Sequence, residues 1–279
     1  MTSLLSGELR VVSAGAPLFA DTLAAQGVRV EQVDWRPPVD GDQELAALLA
    51  ETWQPSVDAA NQQALRRVMD AQQFLVDVRP AGEVIPGMTS DTVLHAGPPI
   101  EWQRLSDPVR AAAVGAIIHE GLAPDEESAA RLGERREIRF EPCHHHQAVG
   151  PMAGMTTWSM PVLVVENRTS GNRAYSNLNE GLGRVLRYGG LGPDVLDRLR
   201  WIRGVLGPVL GEALRRIHGG IDLRALIAQA LHMGDECHNR NRAASALLIK
   251  ALAPHIAALE SVPAAERQRV LAFASGNEH

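Results

Sequence analysis

Three consecutive imidazoles interrupt the chain at Glu141-Pro142-Cys143-His144-His145-His146. Histidines set this way can ligate a metal, move a proton or, when charged, hold an anion. On a strand His144 and His146 share a face, whereas in a loop all three diverge. The plain structural alternative is a row of imidazoles satisfied by backbone carbonyls. Directly after them comes Gly150-Pro151-Met152-Ala153-Gly154-Met155-Thr156-Thr157. Residues this small let a backbone approach a ligand, and consecutive N–H groups can cradle an anion. A simple turn between strands is the competing reading.

Two further segments are rich in groups that recognise anions and amides. Glu166 to Gly181 packs Asn167, Arg168, Asn172, Arg173, Asn177 and Asn179 into a stretch with little apolar content. Guanidinium forks grip carboxylate or phosphate in two places, and Asn reads amide and carbonyl edges. A helix starting near Asn179 would add its dipole to such a site. A solvated polar loop explains the same composition. The second segment, Met233 to Arg242, holds Asp235, Glu236, Cys237, His238 and Arg240. On a helix Asp235 and His238 face together while Glu236 and Cys237 point elsewhere. Acids in a first helical turn account for Asp235 and Glu236 without any ligand.

The candidate catalytic residues are therefore His144, His145, His146 and His238. Candidate substrate ligands are Asn167, Arg168, Asn172, Arg173, Asn177, Asn179 and Arg240. A divalent metal is a candidate cofactor with His144, His146, Asp235, Cys237 and His238 as its potential ligands, although neither CxxC nor HExxH is present. No GxSxG elbow, P-loop or paired-carboxylate motif stands out. The pattern suits a small, planar, doubly anionic substrate or an acyl phosphate, handled by orientation and charge stabilisation.

The elements that must position these groups read as α/β, α+β over the whole chain. Leu9–Val12 and Val28–Asp34 are β-branched runs around a helical Leu18–Gln26 closed by Gly27, a small βαβ unit. Its turn lacks the full GxGxxG, and Asp34 sits where a ribose-binding acid could, although such a residue more often simply caps or turns the chain. Residues 43–72 read as helical, with Asp58 or Asn61 as N-caps, and Phe74–Val78 as a buried strand. Breakers between Arg79 and His95 place a domain boundary near residue 90. Helices are expected over 107–121, capped at Ser106 with Pro108 in the first turn, and over 125–133. Glu137–Glu141 and Met160–Glu166 read as strands. From 174 onward only helices are expected, over 178–188, 194–217, 221–232, 237–252 and 264–274. The expected organisation is a Rossmann-like parallel sheet in 1–90, an α+β domain in 91–192 and a helical domain in 193–279.

Composition narrows the function class. With 45% hydrophobic and 22% charged residues over 279 positions, the chain can bury an ordinary core. Two cysteines, Cys143 and Cys237, are too few for a disulfide scaffold and fit a reducing cytoplasm. A net charge of −6 without a basic run argues against nucleic acid as a partner. The longest apolar runs, such as Met160–Val165, are far too short to span a membrane, and MTSLLSGELR does not read as a secretion signal.

The strings VDVRPAGEVIPGM, LHAGPPIEW, EPCHHHQAVGPMAGM, PVLVVENRTSGNRAYSNLNEGLGRVLRYG and MGDECHNRNRAAS closely resemble the YlbE-like family, over roughly residues 30–279. The resemblance implies a subunit of an oxamate carbamoyltransferase of purine (allantoin) catabolism, interconverting oxalurate plus phosphate with oxamate plus carbamoyl phosphate. It also implies FdrA-like and other small subunits as partners in a homo- or hetero-oligomer. Members of that family continue beyond the position matching Phe273 to His279, so a site shared with a further C-terminal portion is expected to be incomplete here. Two alternatives remain open at this level: a metal-dependent amidohydrolase acting on a small anionic amide, and a non-catalytic scaffold for an FdrA-like partner.

Overall fold

A computed structural model describes residues 9–35, 42–52, 54–150, 154–238 and 241–276. The chain divides into two units, at Met69/Asp70. In the first, strand β1 (Arg10–Ala14) pairs in parallel with β2 (Arg29–Val33), and helix α1 (Pro17–Ala25) joins them. Pro17 presets the first helical turn, and Gly27, at φ +77°, takes the left-handed conformation that returns the chain to β2. This is the expected βαβ unit. The single helix expected over 43–72 is two, α2 (Gln43–Thr52) and α3 (Pro55–Met69). Pro55 disfavours helical backbone at the residue before it, so a new helix starts there, leaving Asp58 inside the first turn rather than at the cap.

The second unit contains the boundary placed near residue 90. Strand β3 (Gln73–Pro80) leads into the short helix α4 (Ala81–Val84) and then β4 (Thr92–His95). Helices α5 (Asp107–His119) and α6 (Glu126–Glu134) follow, then strands β5 (Arg139–Pro142), β6 (Ala148–Val149), β7 (Met155–Thr157), β8 (Pro161–Asn167) and β9 (Arg173–Asn177). The remainder is α7 (Pro193–Trp201), α8 (Gly207–Arg215), β10 (Ile221–Asp222), α9 (Leu223–His232), α10 (Arg242–Ala257) and α11 (Ala264–Gly276). A wide π-type turn at Ile202–Leu206 joins α7 to α8.

Two sheets organise this unit. One runs β10-β3-β8-β9-β6, and the other β5-β4-β7. Because β3 pairs antiparallel with β8, and Gly211 of α8 lies against the Val78 carbonyl, residues 70–279 share one architecture. The break between compact units lies at 69/70. One apolar cluster surrounds α5, including Ile117, Trp102 and Leu186. A second seats Leu206, Leu214, Ile256 and Val270 against β3, and a third lies beneath β4 with Leu94, Cys143, Val162 and Tyr175.

Two expectations for the region after 173 are corrected. β9 and β10 are strands. β9 carries one buried side chain, Tyr175, and is held by pairing with β8 on one edge and β6 on the other. The helix expected over 178–188 is a loop ending in a short 3-10 turn at Leu186–Tyr188. Glu180 accepts the backbone N–H groups of Leu186 and Arg187, and Gly181 and Gly183 are left-handed at φ +93° and +85°, so the segment folds back on a carboxylate.

Candidate functional site

β4 and β5 run in parallel, with His95 opposite Pro142, so both carboxyl ends open on the same edge. That is the edge on which open α/β sheets hold ligands. β7 pairs antiparallel on the other side of β4 and sets Met155 opposite His95. Immediately after β5, Cys143–His146 forms one 3-10 turn, ended by Gln147 in the left-handed region at φ +56°. The histidines are thus on a turn, with His146 set apart from the paired His144 and His145 rings.

Their environments differ sharply. His146 is buried, with Nε2 2.5 Å from Glu141 Oε2 and Nδ1 3.0 Å from the Pro86 carbonyl oxygen. Both its nitrogens are occupied, and the two contacts fasten the turn. The hydrogen bond from His146 holds the Glu141 carboxyl below its usual range, against an opposing burial effect and with help from Arg139. His144 and His145 are exposed, their rings edge to face at 4.6 Å.

Beside them lies a residue that sequence reasoning did not single out. His95 is 1% exposed, its Nδ1 is 3.0 Å from the Ala96 carbonyl oxygen, and among the described residues its Nε2 has no hydrogen-bond partner. Burial pushes its imidazole below the usual histidine range; the Ala96 carbonyl opposes this, and nearby His144 and His145 add to it. The Nδ1 contact leaves Nε2 as the bare acceptor of a neutral ring. A buried polar atom without a partner is costly, on the order of 1–3 kcal/mol, so His95 Nε2 calls for an explanation. The only sequence-level sign was its place at the end of an apolar strand before Ala96-Gly97-Pro98-Pro99.

Cys143 is also buried, and burial pushes its thiol up to about 11, with the Thr156 hydroxyl opposing. It is therefore a packing thiol and not a ready nucleophile. Asn177 closes this side: its Oδ1 accepts from Thr156 Oγ1 at 2.5 Å and its Nδ2 donates to the Met155 carbonyl at 2.7 Å. Its amide braces β7 through these two bonds. A Cβ on Gly150 would sit 3.6 Å from the Gly154 carbonyl oxygen and 3.8 Å from Cys143 Sγ. The two ends of the Gly/Met loop thus close over the Cys143–Asn177 floor.

The predicted anion clamp does not form at this edge. Asn167, Arg168, Asn172 and Arg173 lie at the far end of the β8–β9 hairpin, about 16 Å of strand from Asn177. There Asn167 accepts from Thr169 N and donates to Ser170, and Ser170 donates to Asn172. Arg168 covers the Phe74 ring at 3.6 Å and donates to the Gly219 carbonyl, and Arg173 pairs with Glu166 at 3.2 Å. All four shape the turn, because a hairpin tip without apolar side chains needs its Asn and Ser groups to satisfy its own backbone.

The remaining predicted residues gather elsewhere. Asn179 and His238 line a separate cleft of about 980 Å³, and Cys237 lines an apolar cavity next to it. Arg240 lies outside the described residues. Asp235 is buried and accepts the Ala244 N–H at 2.8 Å, so it caps α10. The candidate ligands His144, His146, Asp235, Cys237 and His238 do not converge, and among the described residues no three His, Cys, Asp or Glu side chains are grouped to hold a metal.

Residues 138–279, about half of the chain and including this turn, match the family model described as oxamate carbamoyltransferase subunit AllG. The chain belongs to the AllG family. It is 53% identical over 206 residues to the Escherichia coli K12 protein named oxamate carbamoyltransferase subunit AllG, covering 74% of this chain and 49% of that protein. It is 45% identical over 282 residues to E. coli K12 YahG, which carries no described function, covering 99% of this chain and 59% of YahG. This AllG-family chain thus spans roughly half the length of the curated relatives it matches. Among solved structures it is similar to a conserved protein of unknown function from Enterococcus faecalis V583, with a TM-score of 0.78 and 43% identity over 80% of this chain and 53% of that one. Among the described residues of this AllG-family chain, no helix is long and apolar enough to cross a membrane.

Proposed function

We propose that this chain is a subunit of an oxamate carbamoyltransferase, interconverting oxalurate plus phosphate with oxamate plus carbamoyl phosphate at the carboxyl edge of β4 and β5. The observation that carries the reading is the buried, unpartnered Nε2 of His95 beside His144 and His145. A neutral imidazole with its second nitrogen anchored is a suitable general base. In the forward direction a phosphate oxygen attacks the carbamoyl carbon of oxalurate, and the C–N bond to the oxamate nitrogen breaks. His95 Nε2 takes the phosphate proton and returns it to that nitrogen, so proton and electron pairs balance. His144 and His145, exposed at the rim, offer N–H donors to the carbonyl oxygen that gains charge.

The family membership supports the reaction class, and the reading extends to FdrA-like and other small subunits as partners in a cytoplasmic hetero-oligomer of purine (allantoin) catabolism. In this reading the βαβ unit is the remnant of a Rossmann-like sheet. The test is reconstitution with an FdrA-like partner subunit and phosphorus NMR of oxalurate plus phosphate. Carbamoyl phosphate formed only when this chain is present supports the proposal. Its formation by the partner alone makes this chain a scaffold.

A further inference from the structure

Helix α10 separates two spaces by its own periodicity. Arg242, Ala246 and Lys250 recur at i, i+4 and i+8 and face the cleft of about 980 Å³. Ala244, Leu248 and Leu252 recur with the same spacing on the neighbouring face and line a cavity of about 270 Å³. The cleft also receives Arg187 and His238, and among the described residues no carboxylate lines it. Arg187 packs over the Tyr188 ring, 5.0 Å to its centroid, with Nε buried and without a hydrogen-bond partner among the described residues. Arg187, Arg242 and Lys250 are three permanent cations on a cleft that no acid lines among the described residues, which makes it an anion-attracting space, although the Asp235 carboxylate already caps the amino end of α10 and Glu180 acts on Arg187. The cavity is the chemical opposite: its walls include Leu75, Leu163, Leu226 and Leu248. The two meet along Asn179, Asn241 and Ile249, which line both.

We infer that these adjoining spaces form one binding site for an amphipathic organic phosphate, its head held by Arg187, Arg242 and Lys250 and its apolar body seated among the leucines. Phosphate is the head that fits because a dianion matches three cations better than a single carboxylate does. At roughly 30 Å³ for each water-sized group, the cavity takes a body of about eight or nine heavy atoms. Oxalurate, oxamate and carbamoyl phosphate have no such apolar body, so this site is distinct from the His95 edge and does not depend on the carbamoyl-transfer reading.

The test is calorimetric titration of the full chain with octyl phosphate, below its micellar range, and with inorganic phosphate. Octyl phosphate is expected to bind at least about tenfold more tightly, from methylene burial. Arg242→Ala should weaken both probes. Leu248→Trp, which fills the cavity, should abolish the advantage of the octyl chain while leaving inorganic phosphate binding unchanged. Leu226→Trp fills it from the opposite wall and serves if the first substitution disturbs folding. Equal affinity for the two probes, an octyl advantage that survives both tryptophans, or no binding of either probe overturns the inference.

Discussion

The His95 imidazole lies flat against the Phe140 ring, centroids 4.4 Å apart and planes 12° from parallel. β4 and β5 impose the contact: Val93 is opposite Phe140 and His95 is opposite Pro142 in the parallel register, so the two rings share a face. Stacking fixes the plane of the imidazole while the Ala96 carbonyl fixes its rotation. Together they hold Nε2 in one direction without spending it on a partner.

Phe140 is accordingly a positioning residue. Phe140→Leu is expected to lower kcat of the reconstituted enzyme about tenfold with little change in KM, because substrate contacts stay while the base loses its orientation. Phe140→Tyr should restore the rate. A change confined to KM, or no rescue by tyrosine, contradicts the role.

The His146–Glu141 pair predicts a pH-dependent stability. The Glu141 carboxyl is held below its unfolded value, so its stabilisation is present above the unfolded carboxyl range and is lost as pH falls through the folded value. Glu141→Gln should cost about 1–2 kcal/mol near pH 7. In urea unfolding, the gap to the unmodified chain should narrow as pH falls below the ordinary carboxylate range and close once Glu141 is protonated in the folded chain. A gap that persists there would show that the carboxylate is not the source.

The hairpin arginines should matter for the fold and little for turnover. Arg168→Ala is expected to cost about 1 kcal/mol through the lost Phe74 contact. Both Arg168→Ala and Arg173→Ala should keep reconstituted activity within about twofold. A loss beyond about a hundredfold for either would return the hairpin to the site.

Thiol chemistry separates the two cysteines. Cys143 is buried with its thiol raised to about 11, while Cys237 is only half-buried. Iodoacetamide should label Cys237 in the native chain and Cys143 only after unfolding, read by mass spectrometry. Cys143→Ala should retain activity, since no thiolate step is invoked.

Much of the fold was legible because its elements follow their own periodicity: Pro161–Asn167 and Gln73–Pro80 announce themselves by apolar runs. Arg173–Asn177 did not, because its pairing with β8 and β6, and not its side chains, makes it a strand. The histidine turn stood out by composition, yet composition cannot tell a locked imidazole from an open one. Nothing in the sequence shows that Glu141 and Pro86 occupy His146. His95 was passed over because a single histidine ending an apolar strand looks like core until its second nitrogen is found without a partner. The Asn/Arg stretch misled for a related reason: residues that bind anions also satisfy the backbone of an exposed turn.

The central claim is that His95 Nε2 is the general base, and the pH dependence of kcat/KM for the reconstituted enzyme tests it most directly. The unmodified chain should show an acid limb below the ordinary histidine value of about 6.5, because burial lowers the His95 imidazole. His95→Gln should remove that limb and lower the rate about 10²- to 10⁴-fold while the chain stays folded. A His95→Gln enzyme that keeps both its rate and its acid limb would contradict the account.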